Sequence, residues 1–127
     1  MMQEPKHRKY GTPMSEWISQ VPGELPRDAV GLWQILAAAE QGFDLQDVDK
    51  IDYIRRNVIA LIDKGAVPVT GGKGTKFDWI AKHEYGRERD EIAAAVIAEW
   101  QSSADDDEAR FAVWFALPSA NVGNLIR

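Results

Sequence analysis

The run Leu61-Ile62-Asp63-Lys64-Gly65-Ala66-Val67-Pro68-Val69-Thr70-Gly71-Gly72-Lys73-Gly74-Thr75-Lys76-Phe77-Asp78-Trp79-Ile80 decides the fold class, because two periodicities meet inside it. Up to Ile62 the apolar residues keep helical three-and-four spacing. Lys64-Gly65 then ends the helix with a cation in the last turn and the residue that accepts a left-handed cap at little steric cost. Residues 66–69 read as a short strand, which Pro68 confines to an edge or to a position needing no ladder donor. The glycine-rich turn at 70–75 and the return through Phe77, Trp79 and Ile80 complete a hairpin. A helix running straight into a short hairpin is wing-like.

Upstream, Leu45, Val48, Ile51, Ile54, Val58, Leu61 and Ile62 make one apolar stripe, with Asp44 as the expected N-cap and Asp47 complementing the helix dipole. Before it, Val30, Trp33, Leu36, Ala37 and Glu40 mark a helix over 27–41, with Pro26 at its start and Gly42 at its end. Residues 1–26 hold four of the six prolines and the basic Lys6, Arg8 and Lys9, so they read as an arm, flexible or loosely docked. Within it Ser15-Glu16-Trp17-Ile18 suits one helical turn, packed back through Trp17 and Ile18.

Downstream, Ile92, Val96, Ile97 and Trp100 share a face of a helix over 87–101, and an acidic loop follows at 102–108. Residues 110–117 alternate Phe111, Val113, Phe115 and Leu117 against Ala112, Trp114 and Ala116, which predicts a strand covered on both faces. Such a strand pairs beside the hairpin to make three strands. The sequence therefore predicts an α+β, winged-helix-like domain over 27–118, with about three main helices, a short β-hairpin and one further strand. Residues 119–127 form a tail.

The order of these phrases resembles a group of small bacterial proteins of unknown function. The resemblance rests on Gly31-Leu32-Trp33, the 61–67 helix end, Trp79, Ala98-Glu99-Trp100 and Val113-Trp114-Phe115, and covers about 28–118. It implies no activity.

The 127 residues are 45% hydrophobic and 28% charged, which suits one folded domain. The net charge of −5 opposes broad attachment to nucleic acid or anionic lipid. Lys6, Arg8 and Lys9 against Glu4 leave residues 1–10 at +2 and the remaining 117 at −7. Cysteine is absent, which excludes disulfides and thiol catalysis. Neither a signal peptide nor a membrane span is legible, so the expected place is the cytoplasm.

The Gly71-Gly72-Lys73-Gly74 run lacks phosphate-loop spacing and flanks, and reads as a hairpin turn. His7 and His83 are the only histidines, and the acidic run at 105–108 lacks calcium-loop order. No catalytic, metal or cofactor residue is predicted. Trp33, Trp79, Trp100 and Trp114 fall in segments expected to build the core, and an exposed one would mark an interface. The candidate interaction surface is Trp79, Lys73, Lys76, Arg55 and Arg56. Two readings follow: a non-enzymatic module binding another protein, as an adaptor or immunity-like factor would, and, less favoured by charge, a winged-helix DNA-binding regulator. A small enzyme ranks below both.

Overall fold

The apolar stripe upstream of Gly65 folds as α3 (Asp47–Asp63), the helix around which the other elements pack. This computed structural model describes residues 4–71, 79–102 and 112–117. The hairpin tip with Lys73, Lys76 and Phe77, the acidic loop, residues 110–111 and the tail lie outside them. Before α3 come α1 (Met14–Gln20), β1 (Val30–Gly31) and α2 (Leu32–Ala37), which continues as a π-helical turn over Ala38–Gly42; after it come β2 (Val67–Gly71), β3 (Trp79–Ala81), α4 (Arg89–Ser102) and β4 (Trp114–Ala116). The protein is an α+β fold of winged-helix-like arrangement.

The late strand does pair beside the hairpin. The sheet is antiparallel with order β1-β4-β2-β3, and Val69 of β2 lies opposite both Trp114 and Ala81. Pro68 faces Phe115. β4 uses both faces, as its alternation predicts: Phe115 enters the main core, while Ala116 joins Val69 and Ala29 in a second cluster on the other side.

Several boundaries differ from the sequence reading. The helix expected over 27–41 begins only at Leu32, because Val30 and Gly31 are drawn into the sheet opposite Phe115 and Trp114. The Gly31 N–H is then satisfied by Gln34 Oε1 at 2.7 Å, starting the helix after the strand. Asp44 is not the cap of α3. The Phe43 and Leu45 N–H groups still bond back to Ala38 and Ala39, so the chain turns through a left-handed φ of 54° at Asp44 and reaches helix three residues later. Val48 leaves the stripe and is 75% exposed.

Within residues 1–26 the helical turn read at 15–18, packed back through Trp17 and Ile18, is present and longer than its spacing indicates. From Met14 to Glu24 the chain is helical, and Met14, Ile18 and Leu25 are buried in the main core. Glu4 fixes the start of α1 by accepting from the Ser15 N–H and Oγ, each at 2.8 Å. Those two hydrogen bonds hold its carboxyl below the usual range.

Candidate binding site

The docked N-terminal segment builds one side of the candidate site. Met14 N–H bonds Pro5 O at 2.9 Å, His7 N–H bonds Thr12 O at 2.8 Å, and Arg8 N–H bonds Gly42 O at 2.8 Å, so the loop is tied both to itself and to the end of α2. His7 is the hub. Its Nδ1 accepts from Lys9 N–H at 3.1 Å and Tyr10 N–H at 3.3 Å, which leaves the ring proton for Nε2. The imidazole stacks on Trp17 at 4.3 Å and meets Phe43 edge-on at 5.4 Å. Its other edge lies on Gly42, where a Cβ would stand 2.6 Å from Nε2. Glycine at 42 is therefore what lets His7 seat against α2.

Between this loop and α2 runs an open groove of about 450 Å³, lined by His7, Arg8, Lys9, Tyr10, Trp17, Trp33, Gln34, Ala37, Ala38, Gln41 and Gly42. Tyr10 is 64% and Trp33 36% exposed, so Trp33 is a surface residue and not the core residue its spacing suggested. Its indole folds back over Gly31, where a Cβ would stand 2.7 Å from Trp33 Cδ1 and 3.0 Å from Trp114 Cε3. Arg8 and Lys9 are exposed and place positive charge at the rim.

A second, inner cleft of about 290 Å³ shares Trp17, Gln34 and Ala38 with the groove and is walled further by Val21, Val30 and Ile35. Tyr53 and Asn57, both of α3 and fully buried, line it too. Asn57 Nδ2 donates to Tyr53 O at 2.8 Å, but Asn57 Oδ1 and the Tyr53 hydroxyl have no hydrogen-bond partner within the protein. Burial pushes the Tyr53 phenol up to about 12. The nearby Asn57 and Trp17 side chains oppose that shift without reaching hydrogen-bond geometry at the hydroxyl. Two unsatisfied buried polar atoms beside one cleft are uncommon in a folded protein.

A stability measurement checks this arrangement. Tyr53→Phe removes a hydroxyl that gains no protein hydrogen bond, so the ligand-free variant should be as stable as the parent or more stable, by up to about 1–3 kcal/mol in urea melts. A loss of more than about 1 kcal/mol would show that the hydroxyl is bonded within the protein.

The residues singled out from sequence fall elsewhere. Arg55 is exposed on α3 and Arg56 half-buried, 4.0 Å from Asp52, with Asp49 and Asp52 exposed on the same helix. Trp79 pairs with Gly71 in the hairpin, and Lys73 and Lys76 lie outside the described residues. Trp100 and Trp114 are half-buried, and Lys50 sits 5.7 Å from the Trp100 ring while bonding Glu40 at 3.1 Å. His83 is exposed in a 3₁₀ turn. Among the described residues no three His, Asp or Glu side chains converge as a metal site, and no helix is long and apolar enough to cross a membrane. The site residues that sequence reasoning missed are His7, Tyr10, Trp17, Gln34, Tyr53 and Asn57. One signal was available: Tyr53 and Asn57 stand at i,i+4 beside the apolar stripe.

No family model matches the chain, and no curated protein or solved structure matches it.

Proposed function

We propose that the protein is a non-enzymatic interaction module whose partner inserts an acidic, aromatic-containing segment into the groove between the N-terminal loop and α2. The observation that carries this reading is the solvent-open row of Tyr10, Trp17 and Trp33 with Arg8 and Lys9 on its rim. Tyr, Trp and Arg are the side chains that concentrate binding energy at interfaces, since they bury large rigid surfaces while keeping a polar edge. The charge balance supports an acidic occupant: the first ten residues carry +2 on a chain that is otherwise −7, so positive potential gathers at the groove.

The test is fluorescence anisotropy with a labelled peptide of glutamates around a central tyrosine, and with its lysine counterpart. The glutamate peptide should bind and the lysine peptide should not. Arg8→Glu/Lys9→Glu should weaken binding by about tenfold or more, with a loss of salt dependence, and Trp33→Ser by a similar factor. Equal binding of both peptides would overturn the reading. So would tighter, salt-sensitive binding of mixed-sequence duplex DNA that is lost in Arg55→Ala/Arg56→Ala, which would put a winged-helix regulator first.

A further inference from the structure

We infer that the inner cleft is a binding site for a neutral group that joins an apolar body to a hydroxyl or amide head, with a phenol as the fitting case. The inference goes beyond the interaction reading, because it stands on Tyr53 and Asn57, neither of which lines the outer groove.

The walls select the body. Trp17, Val21, Val30, Ile35 and Ala38 offer an aromatic face and aliphatic carbons, which suit a ring or a branched chain. The two orphan atoms select the head. Asn57 Oδ1 can only accept, so the head must donate, and a carboxylate or phosphate is refused. The Tyr53 hydroxyl can donate in return, so the head should also accept. A hydroxyl or an amide does both. A cation could donate to Asn57, but Tyr53 and Asn57 are fully buried and bring no carboxylate to offset its lost hydration. Glu24, at the mouth, is 60% exposed and pairs with Arg27 at 3.5 Å. A neutral ligand would convert two unsatisfied polar atoms into two hydrogen bonds, and this is the selectivity that buried polar groups give over an apolar isostere. The phenol could arrive as a tyrosine of the segment in the groove, reached past Trp17, Gln34 and Ala38, or as a free small molecule.

The experiment uses the full chain, labelled with ¹⁵N, and four probes that share one body: p-cresol, toluene, 4-methylbenzoate and 4-methylbenzylamine. p-Cresol should give saturable shifts at the Asn57 side-chain amide and the Trp17 indole N–H. It should bind about tenfold tighter than toluene, the factor one to two net hydrogen bonds supply, and tighter than either charged probe. Tyr53→Phe, checked for native spectral dispersion, should weaken p-cresol severalfold and leave toluene unchanged. Asn57→Leu should do the same where it folds, and Tyr53→Phe decides the matter where it does not. Arg8→Glu/Lys9→Glu should leave p-cresol binding intact even if it abolishes peptide binding, so failure of the groove reading and failure of this one are separable. A preference of the acidic peptide for tyrosine over phenylalanine supports the site with a partner residue as occupant; p-cresol binding without that preference supports it with a free molecule as occupant. Equal affinity for p-cresol and toluene, preference for a charged probe, an unchanged p-cresol affinity in Tyr53→Phe, or no saturable shift at probe solubility would each overturn the proposal. The last outcome would assign the cleft to water alone.

Discussion

Phe115→Ala should destabilise the protein by about 3–5 kcal/mol, the range for removing a fully buried aromatic side chain and leaving a cavity. Phe115 is fully buried in the main core and lies in β4, opposite Val30 on one side and Pro68 on the other. Its loss therefore weakens both the packing of the sheet on the helices and the strand joining β1 to the hairpin. Domains of this kind are typically stable by only about 5–15 kcal/mol, so the variant should lie close to unfolding at ordinary temperature. The denaturant midpoint measures the effect. A shift equivalent to less than about 1 kcal/mol would mean that β4 is not the central strand described.

The second large effect is expected at Gly86, where backbone and cap chemistry coincide. Gly86 has φ 110° and ψ −166°, a region essentially reserved for glycine. A Cβ there would also overlap the Glu91 carboxyl group, whose Oε1 accepts from Arg87 N–H at 3.0 Å and Glu88 N–H at 3.4 Å and so closes the start of α4. Backbone strain of about 1–3 kcal/mol and loss of a cap worth about 0.5–2 kcal/mol should together make Gly86→Ala cost about 2–4 kcal/mol. Glu91→Ala separates the two parts. In that background the added cost of Gly86→Ala should fall to the backbone share alone, and urea melts of the four proteins in the cycle read this directly. A single-variant cost below about 0.5 kcal/mol would show that residue 86 does not hold this conformation.

These variants bear on elements whose existence was legible in the sequence. α3 and α4 follow from their spacing, the hairpin from Gly65, Pro68 and the glycines beyond it, and β4 from the alternation around Phe115. The groove between the N-terminal loop and α2 was not legible. Trp79 stands out in the sequence for lying beside the hairpin and off any periodic helix face, and Lys73 and Lys76 for their charge in its glycine-rich turn, while the exposed aromatic rings of the groove sit on Tyr10, in a segment read as an arm, and on Trp33, in a helix read as core. Spacing marks which residues share a face. It does not say what the face meets, and here the close approach of Gly31 puts Trp33 over the sheet edge instead of inside.

The sequence by itself determined the class of the fold: helices and strands of the right kind in the right order, because each periodicity is local and survives whatever the element packs against. Only the tertiary structure decided where α3 is buried. Helical residues advance by about 100° each, so Tyr53 and Asn57 lie to one side of the Ile54 and Val58 stripe, on a face that is covered only because α1 and the turn after it pack there. That second covering comes from a segment far away in the sequence, drawn in by Met14, Ile18 and Leu25 and pinned by Glu4, His7 and Gly42. A polar pair on α3 becomes a cleft with two unsatisfied atoms when a distant segment folds over it; the i,i+4 spacing of Tyr53 and Asn57 marks the pair and not its covering.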